Sequence, residues 1–250
     1  MTETGKVETK VAEGVATITF SHPKSNSLPG SLLADLAGAV RAAGENSDAR
    51  VIVLRSTGTG AFCAGASFSE LKAISSEAEG RAFFSGFATL ILAMIRAPKF
   101  ILTRVQGKAV GGGVGVVAAS DYAMATEAAS VKLSELAIGI GPFIVGPVIE
   151  KKVGLAAFSA LAVDADWRDS AWAERHGLFA SVHSDEAALD AEVAARAKML
   201  AASNPEAMAR LKKVFWGGTE GWDELLKTRT ADTGKLVLSD FTRKAIAATR

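Results

Sequence analysis

Short, continuous apolar runs separated by helical patterns fill the first half of the chain, and then the strands all but stop. Val51-Ile52-Val53-Leu54 is a run of the kind buried on both faces of a sheet. Before it, Leu32, Leu33, Leu36, Ala37 and Val40 recur at helical spacing. After it, residues 77–96 predict a second helix ending before Pro98, followed by another buried strand over residues 100–105. That is a β-α-β unit whose alternation repeats. Residues 7–11 and 15–20 alternate apolar with polar around Glu13-Gly14, which predicts a hairpin at a sheet edge.

After Gly113 a short helix (residues 114–119) leads to a strand-like segment (122–125) and a small strand (131–133). From Gly139 onward the patterns are mostly helical, over residues 145–153, 155–163, 169–176, 186–203, 204–215 and 222–248. The expected organisation is an α/β core domain, residues 1–195, with a helical C-terminal region, residues 196–250.

The chain's 250 residues can bury a large core, and 28 Lys+Arg against 27 Asp+Glu leave a net charge of +1. No global field recruits nucleic acid or an anionic membrane, so attraction for a phosphorylated ligand must be local. Cys63 is the single cysteine and there are three histidines, His22, His176 and His183, without ligand spacing. A disulfide framework is excluded and no metal site is expected. A reducing cytoplasm fits. Residues 1–10 lack the apolar segment of a leader, and apolar stretches such as residues 88–95 and 114–119 fall short of the roughly 20 residues of a membrane helix. A soluble protein is expected.

Chemistry concentrates in two small-residue segments, Ala61-Phe62-Cys63-Ala64-Gly65-Ala66 and Gly107-Lys108-Ala109-Val110-Gly111-Gly112-Gly113. Residues with little or no Cβ bulk let another molecule approach the main chain, so each segment can aim N–H groups at a negative oxygen. The second leads, about twenty residues on, to a solitary acid in Leu133-Ser134-Glu135-Leu136. Oxyanion donors plus one acid suit carbanion chemistry next to a carbonyl. Gly113-Val114-Gly115-Val116-Val117-Ala118 also satisfies G-x-G-x-x-A, but the helix after it holds only about two turns, too short for a dinucleotide-binding crossover. Cys63 has no histidine nearby in sequence and reads as a small buried hydrophobe. Asp121 precedes a strand and is expected to satisfy backbone donors there. Leucine and isoleucine around Glu135 are expected to raise its pKa by desolvation.

The chain resembles the crotonase superfamily, the enoyl-CoA hydratase/isomerase family, over nearly its whole length. Pro23-Lys24-Ser25-Asn26-Ser27-Leu28 is similar to the family's first loop, and AFCAGASFSEL (from Ala61) to its first oxyanion segment, with Ala66 at the donor position. GKAVGGGVGVVAASD (from Gly107) is similar to the second, with Gly112 as donor. Lys132-Leu133-Ser134-Glu135-Leu136-Ala137-Ile138-Gly139 resembles the segment carrying a catalytic glutamate.

The resemblance implies a spiral of β-β-α units with a helical C-terminal region used in trimer assembly, as a homotrimer or a dimer of trimers. It also implies coenzyme A contacts from Lys24, Asn26, Ala64, Gly65, Ala66 and Gly112, with Arg243 and Lys244 near the end meeting phosphates, here across a subunit boundary. No separate cofactor is implied, since coenzyme A is part of the substrate. One departure stands out: the family's other glutamate position is Gly115 here. Glu135 alone suits double-bond migration, so an enoyl-CoA isomerase is expected. Enoyl-CoA hydratase is the alternative, and a non-catalytic acyl-CoA-binding protein the reading from another class. The pocket is expected to draw on Phe83, Phe84, Phe87 and Phe143. Trp167, Trp172, Trp216 and Trp222 are expected in packing or a subunit interface.

Overall fold

A computed structural model describes residues 5–248; residues 1–4 of the stretch read as lacking a leader lie outside it. The chain opens with β1 (Lys6–Ala12) and β2 (Val15–Ser21), joined by Glu13 and Gly14, both at positive φ (50° and 77°). Two such residues match strand twist in a two-residue hairpin. Then follow α1 (Gly30–Glu45), β3 (Val51–Ser56), α2 (Phe68–Ala73), α3 (Glu77–Arg96), β4 (Ile101–Val105), β5 (Ala109–Val110), α4 (Gly112–Ala118), β6 (Tyr122–Thr126) and β7 (Ser130–Lys132). A 3₁₀ turn (Leu136–Ile138) leads to α5 (Gly146–Asp164), β8 (Arg168–Asp169), α6 (Ser170–Arg175), β9 (Ser181–His183), α7 (Glu186–Ala201), α8 (Pro205–Phe215), α9 (Trp222–Leu236) and α10 (Asp240–Ala248).

Six strands form one sheet in the order β1-β2-β3-β4-β6-β9, with β1 antiparallel at the edge and the rest parallel. The run at residues 51–54 is central, and its pleat divides it. Ile52 and Leu54 join the core under α1 and α3, while Val51 and Val53 pack with Leu189 and Val193 of α7. A strand covered on both faces needs no polar alternation, which is why the run is continuous. A separate small sheet, β5-β7-β8, stands apart.

Most sequence expectations hold to within a few residues, and α3 matches at both ends. Three differ. β9 completes the main sheet although residues 181–183 are only partly buried and carry no strand pattern. The helical stretch at 222–248 is two helices, broken between Leu236 and Asp240. The expected domain boundary after residue 195 falls inside α7, so it is no break in the structure. Gly154, at φ 78°, kinks α5 where the sequence pattern divides. α3 is long and apolar enough to cross a bilayer by composition, yet half of it is buried in the protein.

The C-terminal helices are tied to the sheet by one buried ion pair. Asp121 Oδ2 accepts from the Ile101 N–H (2.7 Å) and Lys212 Nζ (2.8 Å), and Oδ1 from Trp216 Nε1 (2.8 Å). Lys212 also donates to the Met94 and Lys99 carbonyls, both at 2.8 Å. Burial pushes the Lys212 ammonium below the usual lysine range and Asp121 opposes that shift. The expectation that Asp121 satisfies backbone donors is met, with α8 added. Trp216 is therefore a core residue; Trp172 and Trp222 are partly buried and Trp167 is 42% exposed. Removing one member of a buried pair typically costs about 3–5 kcal/mol. Asp121→Ala is expected to lose stability of that order in urea unfolding, with Trp216 fluorescence reporting early release of α8.

Candidate active site

The small sheet assembles the site. β5 pairs with β7, Val110 opposite Lys132, and also meets residue 63. The Cys63 N–H donates to the Lys108 carbonyl (3.1 Å), the Val110 N–H to the Cys63 carbonyl (2.9 Å), and the Gly111 N–H to the Lys132 carbonyl (2.9 Å). Three segments distant in sequence thus run side by side. Ala64, Gly65, Ala66, Gly111, Gly112, Ser134 and Glu135 all line one recess of about 650 Å³, its open mouth included.

The packing between segments leaves no room for side chains. At Gly65 (φ 84°) a methyl group would lie 2.7 Å from the Val110 carbonyl oxygen and 3.7 Å from the Gly112 nitrogen. At Gly112 it would lie 2.1 Å from Cε1 of Phe87. Gly112 opens α4, so its N–H has no partner within the helix. Leu28 bonds to the Gly65 carbonyl (2.8 Å) and receives the Ser67 N–H (3.3 Å), which turns the Ala66 N–H the other way. Among the described residues, neither the Ala66 nor the Gly112 N–H donates to a main-chain carbonyl.

Two buried amides hold the first segment at its start. Asn26 Nδ2 donates to the carbonyls of Thr57 (3.0 Å) and Ala61 (2.9 Å), and its Oδ1 accepts from the His22 N–H (3.0 Å). Gln106 Nε2 donates to Ser56 Oγ (2.9 Å) and the Ala61 carbonyl (3.4 Å), while its Oε1 accepts from Arg104 Nη1 (3.2 Å). Arg104, itself buried, pairs with Asp190 (2.6 Å) and Glu186 (2.8 Å) on α7. The Asn26 amide, expected at the coenzyme A surface, is thus committed to protein groups and braces the loop. Lys24 is exposed on that loop.

Glu135 sits where Gly111, at φ 53°, has no Cβ; a methyl there would be 3.0 Å from Oε1. Its Oε2 is buried without a hydrogen-bond partner. Burial pushes the carboxyl up to about 7, and the main-chain N–H groups of Glu135 and Ser134 offset this only in part. Cys63 is buried and its thiol is pushed up to about 12 by that burial, in keeping with a packing role.

Gly115 does not line the recess. A methyl group there would lie 2.5 Å from Cγ1 of Val145, and Val145 lines the recess instead. Phe84, Phe87 and Phe143 contribute to the wall as expected, whereas Phe83 packs behind them, edge-on to both Phe84 and Phe87. Several lining residues had no signal in the sequence, among them Phe68, Leu71, Val145 and Thr233, whereas Phe84 and Phe87 had their helical spacing. Lys244 is exposed and does not line the recess, and Arg243 borders a separate one with Leu71 and Ser75. Their helix α10 packs on α2 and the Leu136–Ile138 turn of its own chain and leaves both side chains exposed.

Residues 10–245 match the family described as Enoyl-CoA hydratase/isomerase. The chain belongs to that family. It is 32% identical over 163 residues to a (7aS)-7a-methyl-1,5-dioxo-2,3,5,6,7,7a-hexahydro-1H-indene-carboxyl-CoA hydrolase of Mycobacterium tuberculosis, covering 61% of this chain and 62% of that protein. Similar matches cover 51% of the corresponding Rhodococcus jostii hydrolase and 50% of a Bacillus subtilis relative, so the chain spans half to three-fifths of the length of these curated relatives. A probable enoyl-CoA hydratase of Rhizobium meliloti is 30% identical over 82% of this chain and 79% of its own. The fold is that of the enoyl-CoA hydratase from Bacillus halodurans, with TM-score 0.90, 22% identity, and 97% of this chain and 99% of that one covered.

Within this enoyl-CoA hydratase/isomerase fold, placing an acid at residue 115 requires moving Val145. Gly115→Glu alone is expected to fold poorly, since overpacking a tight core typically costs about 1–3 kcal/mol before any charge is buried. Pairing it with Val145→Gly should recover part of the lost melting temperature, and a double variant no more stable than the single one would remove Val145 as the obstacle.

Proposed function

We propose that this chain is an acyl-CoA thioester enzyme that migrates a double bond from the 3,4 to the 2,3 position. The Ala66 and Gly112 N–H groups receive the thioester oxygen, and Glu135 moves the proton. Glu135 takes a proton from C2, the C–H electron pair enters the conjugated enolate, and charge gathers on the oxygen between the two donors. The same carboxyl then returns a proton to C4 as the enolate collapses, so one acid serves both steps. Each such donor is typically worth about 2.7–4 kcal/mol of transition-state stabilisation.

The observation that carries this reading is the Glu135 oxygen without a protein partner inside a mainly apolar recess whose lining, among the described residues, contains no second Asp or Glu. A carboxyl near 7 is matched to giving and taking protons at neutral pH. Hydration is the second reading, favoured by the hydratase named among the relatives. It asks for water activation at C3 beside protonation at C2, which two acids divide more readily than one. The exposed Lys24 and Lys244 and the main chain around Ala64 to Ala66 are proposed to meet coenzyme A. The protein is further proposed to work in the cytoplasm as a homotrimer or a pair of trimers, supported by apolar side chains left exposed on helices: Leu155 (65%), Val163 (69%) and Val214 (74%).

Purified protein given a 3-enoyl-CoA is expected to form the 2-enoyl isomer, and Glu135→Gln to lower that turnover about 10²–10⁴-fold while acyl-CoA still binds. Near-normal turnover in the variant would remove Glu135 from the chemistry. With the carboxylate as base, kcat/KM should rise with pH and level off above about 7. Stability should move the opposite way. A carboxyl raised from 4.5 to about 7 by folding binds more protons folded than unfolded in that window, so stability falls as pH rises through it. Glu135→Gln should therefore melt higher than wild type at pH 8, with the gap closing toward pH 4. Light scattering at micromolar concentration tests assembly: an active monomer would overturn the trimer.

A further inference from the structure

Away from the main-chain donors and Glu135, the wall of the recess is mainly hydrocarbon. Phe68, Leu71, Phe84, Ile138, Ile144 and Val145 supply much of its wall, and among the described residues no lysine, arginine or histidine lines it. Among the described residues its one ionisable lining group is Glu135. Two other polar side chains reach it, Ser134 and Thr233, and the Thr233 hydroxyl already donates to the Arg229 carbonyl (2.8 Å). Arg229 does not line the recess, and its Nη1 is spent on the Phe143 carbonyl (3.0 Å).

We infer that this site takes a thioester whose acyl group is an uncharged hydrocarbon and rejects one that ends in a carboxylate. The inference rests on the acyl-CoA reading above and narrows it to a substrate class. A carboxylate offers about four lone-pair sites and must exchange water for partners of equal strength. Here it would find one serine hydroxyl, no counter-charge and a second acid. An aliphatic or aryl group in the same place loses only its contact with water, which favours binding by about 25 cal/mol per Å² buried.

The test uses a matched pair of saturated thioesters that cannot isomerise: glutaryl-CoA and 5-methylhexanoyl-CoA, in which an isopropyl group replaces the terminal carboxylate. Calorimetric titration of the full chain at pH 7.5, with coenzyme A as reference, is expected to show 5-methylhexanoyl-CoA binding on the order of 100-fold more tightly than glutaryl-CoA, the size of a buried unpaired charge. Phe143→Arg puts a cation on the recess at a residue already 39% exposed, and so able to carry charge without unfolding. It should cut the ratio at least tenfold by strengthening glutaryl-CoA. Equal or tighter binding of glutaryl-CoA by the wild type would overturn the substrate class and leave the acyl-CoA reading standing. If neither thioester binds better than coenzyme A itself, the recess is no acyl site and both readings fall.

Discussion

Everything at the site depends on three stretches of main chain lying as close as main chains can. Residues 63, 110 and 132 are joined by hydrogen bonds near 3 Å, and this ply sets where the loops after them must go. The price of such closeness is paid in side chains. Gly65 and Gly112 are positions where a single methyl would strike a carbonyl or a ring, so the sequence there is dictated by space before any chemistry is considered. The amides of Asn26 and Gln106 then fix the Ala61 carbonyl, and Arg104 links that brace to α7 on the far face of the sheet.

Against this well-paired frame Glu135 is the exception. Asp121 and Lys212, buried together, satisfy each other and four further groups, whereas one buried oxygen of Glu135 has no protein partner. A buried polar group without a partner opposes folding, and such groups concentrate where a protein has work to do. Gly111, which makes room for the carboxyl, and the pairing of β5 with β7, which delivers it, place that oxygen at the recess rather than against a protein donor.

The sequence made much of this legible, because strand and helix periods are local. The hairpin turn, the run at 51–54 and both ends of α3 follow from spacing and turn residues alone. The convergence of residues 61–66, 107–113 and 135 did not follow from spacing and rested on resemblance, since nothing local says that residue 63 meets residue 109. β9 was invisible because a three-residue edge strand that is only partly buried needs no apolar alternation. The bracing role of Asn26 was hidden for a related reason: an asparagine at φ 56° in a loop looks the same in sequence whether its amide faces a ligand or a carbonyl. Gly115 read as a missing acid, while in space it is a packing position under Val145.

The crossing of α3 and α9 has a consequence for how the protein comes into being. Gly80 and Gly234 let the helices touch backbone to backbone, and α9 supplies Thr233 to the recess whose wall α3 began with Phe84 and Phe87. The two halves of that wall are about 150 residues apart in the chain. During synthesis the sheet can form long before α9 exists, leaving the phenylalanine face of α3 uncovered. The recess can close only once α9 has followed, so this site matures well after the sheet that carries it.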